Sequence, residues 1–138
     1  MEHDIKVRSN KRKADRKQAT ECKDRGNDAM RKGLYVAADK FYSDGLEVCK
    51  DLKELWTNRA LARLKLERFE AAMDDCTRIL EYCEVLEDGF EKSKALCFKA
   101  FLRRGMALRG QGRYLDAAGD FEKALELVPE DADATKWK

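Results

Sequence analysis

Three stretches of this chain repeat one spacing of small and aromatic residues, and no other feature constrains the fold as much. With Gly26, Ala60 and Gly105 aligned, the first stretch carries Gly33, Tyr35, Ala38, Tyr42 and Leu46. The second carries Glu67, Phe69, Ala72, Cys76 and Leu80, and the third Gly112, Tyr114, Ala117, Phe121 and Leu125. Pro129 follows the third as a stop. The first two stretches are offset by 34 residues and the last two by 45. One connection, around EYCEVLEDGFEKSKALC, therefore carries eleven extra residues. A period of this length marks units that bury their apolar faces by stacking on one another.

Each unit divides into two segments of helical period. The first helices (A) are expected over about residues 19–32, 53–66 and 92–110, and the second helices (B) over about 35–50, 69–86 and 114–127. The turns KGL, ERF and QGR join them. Ala38, Ala72 and Ala117 are small enough to let each B helix approach its A helix closely. Asp88–Gly89 reads as the loop of the long connection, and the flanking sequence extends the neighbouring helices rather than breaking the stack. The chain holds one proline among 138 residues and 41% charged residues, so an all-helical, well-solvated domain follows. Arg63 stands where an A helix usually carries an apolar residue and is expected to snorkel. Trp56 is expected to pack into its repeat.

The A helices also carry a polar stripe. Counting each repeat from Ala19, Lys53 and Phe98, the stripe comprises Lys23, Asn27, Asn58, Lys99 and Arg103. At about 100° per residue these positions fall within an arc of about 100°. Cys22, Gly26 and Ala29, like Phe101, Gly105 and Leu108, occupy another arc that must face the B helix. Three cations and two amides converging from three repeats favour an anionic guest. Lys and Arg are charge-assisted donors to carboxylate, and Asn supplies neutral donors that orient it. Two adjacent carboxylates, such as the main-chain and side-chain carboxylates of a C-terminal Asp, suit this set.

The repeat pattern over residues 19–129 resembles the tetratricopeptide repeat (TPR), a helix-turn-helix unit. The resemblance implies an all-α, right-handed superhelix (an α-solenoid) of three repeats, with the A helices lining its concave side. It divides the chain into a basic extension, 1–18, helical or frayed; repeats at 19–52, 53–97 (with the long connection) and 98–129; and the start of a capping helix at 130–138. The five stripe residues are similar to the dicarboxylate clamp of co-chaperone TPR domains of the Hop/Sti class. That resemblance implies a peptide-binding adaptor, not an enzyme, whose partners are the Glu-Glu-Val-Asp tails of cytosolic 70-kDa and 90-kDa heat-shock chaperones. By the same resemblance Met30, Leu61, Leu64 and Lys65 would lie beside the peptide. The competing expectation is a scaffold that binds a folded partner or an internal helix and ignores chain ends.

Other signals are weaker. Residues 6–17 hold seven Lys or Arg against Asp15, with no interleaved aromatic to stack a base, so a solvated extension of the first helix is expected rather than a nucleic-acid site. His3 is the only histidine and lies near the terminus, so no serine or cysteine has a structured histidine partner for nucleophilic catalysis. The five cysteines contain no CxxC pair. Cys22 and Cys76 fall at repeat core positions and the others near B-helix ends, as free thiols of a reducing compartment, with no metal or cofactor expected. No long apolar run asks for a membrane and the N-terminus lacks an apolar signal core, so the cytosol, or the nucleus, is the expected compartment. Trp137 would be the apolar side of the capping helix. The chain is expected to act as a monomeric module of a larger adaptor.

Overall fold

The computed structural model describes residues 2–86 and 89–129. These residues form six helices: α1 (Glu2–Arg31), α2 (Tyr35–Val48), α3 (Glu54–Lys65), α4 (Phe69–Leu86), α5 (Lys94–Gly110) and α6 (Tyr114–Leu127). Among the described residues there is no strand. Helices α1, α3 and α5 are the A helices, and α1 touches α3 as α3 touches α5. Helices α2 and α4 each pack on the A helix before and the A helix after them, and α6 packs on α5. The expected capping helix, Trp137 and Asp88 lie outside the described residues.

The hairpins close where the spacing demands it. A Cβ on Gly26 would overlap the Tyr42 ring, and one on Gly105 would lie 2.5 Å from Phe121 Cε1. Only a bare backbone lets those rings reach the A helix. The three turns share one backbone conformation, left-handed at Gly33 (φ +74°), Glu67 (φ +59°) and Gly112 (φ +78°). Glycine adopts it without cost, whereas Glu67 does so against a side-chain clash.

The extra residues of the long connection are absorbed mainly by helix. Helix α4 runs 18 residues where α2 and α6 run 14, and α5 runs 17 where α3 runs 12. A short bend containing Gly89 (φ +114°) separates them. One buried cluster joins the first repeat to α3 through Tyr42, Leu46, Leu52 and Leu55. Another joins repeats two and three through Ile79, Leu80, Cys83, Cys97 and Phe101.

Two expectations, for Arg63 and Cys97, need correction. Arg63 does not snorkel: its Nη1 donates to Asp75 Oδ2 at 3.0 Å and its Nε lies 3.4 Å from Asp39 Oδ1, because two carboxylates from flanking B helices meet it below the surface. Trp56 does pack into its repeat, half-buried against both main clusters beside the fully buried Leu55. The Arg59 and Arg78 guanidiniums lie 5.2 and 4.9 Å from the Trp56 ring centroid. Cys97 belongs to the first turn of the A helix α5, not to a B-helix end, and is buried there.

The repeats are also joined by buried ion pairs that recur in register. Arg59 grips Asp75 with two bonds, Nε to Oδ2 at 3.0 Å and Nη2 to Oδ1 at 2.7 Å. Arg104 grips Asp120 the same way, at 2.7 and 2.9 Å. Each pair spans 16 residues and links an A helix to its own B helix. Each arginine then donates to a hydroxyl on the preceding B helix, Arg59 to Ser43 Oγ at 3.1 Å and Arg104 to Thr77 Oγ1 at 3.3 Å. Burial pushes the Asp75 carboxyl above the usual carboxylate range, while the Arg59 and Arg63 guanidiniums work against that shift.

Candidate functional site: a polar hollow across three A helices

A hollow of about 1010 Å³ opens between the A helices, and Lys23, Asn27, Asn58 and Lys99 line it together. Lys23 and Asn27 share one face of α1 because four residues make about one turn. Asn58 stands on α3 and Lys99 on α5, and direct packing of α3 against its two A-helix neighbours brings them within one wall. Neither Lys23 nor Lys99 has a carboxylate within ion-pair distance among the described residues. By contrast, Arg59, Arg63 and Arg104 are all paired with buried carboxylates. Unpaired cations in a hollow keep their field available to a guest.

Arg103 is not among the lining residues. It lies one turn beyond Lys99, and its Nη1 donates across the repeat boundary to the main-chain oxygen of Thr57, 2.7 Å away, on a residue that does line the hollow. Burial pushes the Arg103 guanidinium below its ordinary value, with Cys76 and Tyr42 acting in the opposite sense. An arginine so shifted stays charged at any physiological pH. One face of its fork is thus tied to the fold.

The two asparagines are linked. Asn27 Oδ1 accepts from Asn58 Nδ2 at 3.2 Å and from the Tyr42 hydroxyl at 2.6 Å. With its oxygen taken twice, Asn27 offers the hollow its Nδ2, a donor with no acceptor among the described residues. The A-helix wall of the hollow thus presents two ammonium groups and carboxamide N–H, with Asp51, Glu54 and Glu91 elsewhere on its lining and Arg103 held behind Thr57. Ammonium and amide N–H are the groups that can donate to carboxylate oxygens.

The four further residues expected beside a peptide do not line this hollow. Met30 and Leu64 are half-buried against the two main clusters. Leu61 is half-buried and Lys65 exposed. They continue the A-helix faces C-terminal to the asparagines. At the other end the hollow extends to Arg16, because α1 continues unbroken through the basic segment, and to Lys92 before α5. Sequence reasoning missed Arg16, the Thr57 carbonyl and the Tyr42 hydroxyl. The last had a signal: among the residues at that repeat position, Tyr42, Cys76 and Phe121, only the first carries a hydroxyl.

A sequence model described as "Tetratricopeptide repeat" matches residues 98–131. Human Tetratricopeptide repeat protein 12 is 37% identical over 129 residues, covering 94% of this chain, and the chain spans only 17% of that relative's length. Among solved structures, the second TPR domain of human RPAP3 in complex with the HSP70 peptide SGPTIEEVD superposes with a TM-score of 0.76 at 32% identity, covering 89% of this chain and 93% of that one. The second TPR domain of Spaghetti (RPAP3) bound to the HSP90 peptide SRMEEVD gives 0.73 at 31% identity, covering 89% and 96%. Six helices paired in three registered hairpins, and near-complete domains of one family superposing on them, lead to one assignment: the chain belongs to the tetratricopeptide repeat family.

Proposed function

We propose that this domain is an adaptor that captures the C-terminal Glu-Glu-Val-Asp-type tails of 70-kDa and 90-kDa heat-shock chaperones, with Lys23, Asn27, Asn58, Lys99 and Arg103 as the clamp for the terminal Asp. The observation that carries this reading is the meeting of Lys23, Asn27, Asn58 and Lys99, drawn from three repeats, in one hollow, with neither lysine ion-paired among the described residues. The peptides held by the two RPAP3 domains, both ending in EEVD, support the same guest chemistry. Lys23 and Lys99 meet the two carboxylates as point charges, Arg103 supplies directed N–H groups, and the asparagines fix orientation. Met30, Leu61, Leu64 and Lys65 are proposed to flank the upstream residues. Binding is equilibrium capture of a chain end, without turnover. The partner class makes the cytosol the proposed compartment; no helix of the described residues is long and apolar enough to cross a membrane.

Affinity on the order of micromolar is expected, since few residues are buried and the tail is ordered on binding. Isothermal titration with a free-acid tail peptide and its C-terminal amide tests the reading. Amidation, or Arg103→Ala, is expected to remove most of the binding, and rising salt to weaken it. An amide that binds as tightly as the free acid refutes the clamp and favours a scaffold indifferent to chain ends.

A further inference from the structure

Tyr42 sits on a B helix, in the place that Phe121 holds in the third repeat, and both rings do the same packing work. Each fills the space over a glycine of the A helix, Tyr42 over Gly26 and Phe121 over Gly105. Both are 1% exposed. Phenylalanine does this work alone in repeat three, so packing does not require the hydroxyl in repeat one. A buried hydroxyl carries a desolvation cost unless it is bonded. This one is bonded to Asn27 Oδ1 at 2.6 Å, the shorter of the two bonds that oxygen accepts.

The direction of that bond matters for the hollow. An asparagine amide turned over would present its oxygen where an anionic guest must lie. The cations Lys23 and Lys99 share this hollow and favour that wrong orientation when no guest is present, because an amide oxygen is the negative end of its dipole. A phenol is a strong donor, and it holds the oxygen inward. Burial pushes the Tyr42 pKa up to about 12, so the donated proton stays in place throughout the physiological range.

We infer that Tyr42 is a positioning residue for carboxylate capture: its hydroxyl pins the Asn27 side chain with Nδ2 directed into the hollow, so the clamp meets a chain end already oriented. This rests on the clamp reading above and assigns a role to a residue outside the five. Pre-orientation adds affinity by sparing the guest the work of turning the amide.

The test is a double-mutant cycle read by titration with a free-acid Glu-Glu-Val-Asp peptide. Tyr42→Phe keeps the ring and is expected to fold, since phenylalanine fills the matching space in repeat three. Its affinity is expected to fall about five- to ten-fold, the effect of one hydrogen bond. In an Asn27→Ala background the same change is expected to alter affinity less than two-fold, because Tyr42 then has nothing to orient. A purely structural tyrosine loses the same factor in both backgrounds, and that result overturns the inference. So does wild-type affinity in Tyr42→Phe. NMR of the Asn27 side-chain N–H₂ in the unliganded protein gives a second readout. One fixed amide signal that broadens or shifts in Tyr42→Phe supports the inference, and an unchanged signal opposes it. The amidated-peptide control reports separately on the clamp, so either idea can fail without the other.

Discussion

Replacing Asp75 by alanine removes the acceptor of three guanidinium hydrogen bonds, two from Arg59 and one from Arg63. The carboxylate side chain is 2% exposed and its partners 14% and 20%, so water cannot take its place. Breaking a buried pair by removing one partner costs about 3–5 kcal/mol, because the other charge is left behind. Here two charges are left. Arg63 retains a longer contact with Asp39, 3.4 Å, which offsets part of the loss. A cost of about 3 kcal/mol is expected, a large share of the roughly 5–15 kcal/mol that holds a domain together. Asp120→Ala strands Arg104 alone and is expected to cost less, about 2 kcal/mol. Asp28→Ala opens pairs with Arg31 and Lys32 that are half or more exposed, and is expected to leave the stability nearly unchanged. Urea denaturation followed by circular dichroism measures all three. With a slope of about 1–3 kcal/mol per molar urea, Asp75→Ala lowers the midpoint by about 1 M or more. If Asp75→Ala were no worse than Asp28→Ala, the argument that this network holds repeat two in register would fail. Substituting Asp75, Arg59 and Arg63 together with apolar residues is expected to recover most of the loss.

Two other perturbations follow from the same coordinates. Glu67→Gly is expected to raise stability by about 1 kcal/mol, since it relieves an L-residue at φ +59° where the equivalent turns use glycine; a lower denaturation midpoint would refute this. Tyr42 has a folded pKa near 12 against an ordinary 10, so its contribution is complete below about pH 10 and is lost as pH rises towards 12. Spectrophotometric titration should show a phenolate step near pH 12 that Tyr42→Phe removes, with the thermal midpoint falling between pH 10 and 12; a Tyr42 step at pH 10 would contradict its burial.

The hairpins were legible because stacking makes every repeat bury the same positions, so Gly26, Ala60 and Gly105 announce one geometry three times. Helix ends fall within two residues of the spacing in most cases, and α1 differs only by running back to Glu2. The polar stripe was legible for a related reason: residues one turn apart share a face whatever the tertiary fold. Long-range pairing was not. Arg63 read as a snorkelling surface cation because its acceptors, Asp39 and Asp75, become neighbours only once α2, α3 and α4 have packed. The burial of Asp75 and Asp120 left no mark in the sequence for the same reason. The Thr57 carbonyl, which holds Arg103, is a backbone group and leaves no mark in side-chain patterning.

That last bond has a mechanical consequence. Arg103 is anchored to the neighbouring repeat and not to its own, while Lys23 and Asn27 stand on a third helix. The spacing of these side chains and the pitch of the coil are therefore linked. Tension that separates the repeats by an ångström stretches these contacts past the roughly 3.2 Å at which a hydrogen bond holds. A change in the pitch of the coil therefore moves the Arg103 guanidinium relative to Lys23 and Asn27.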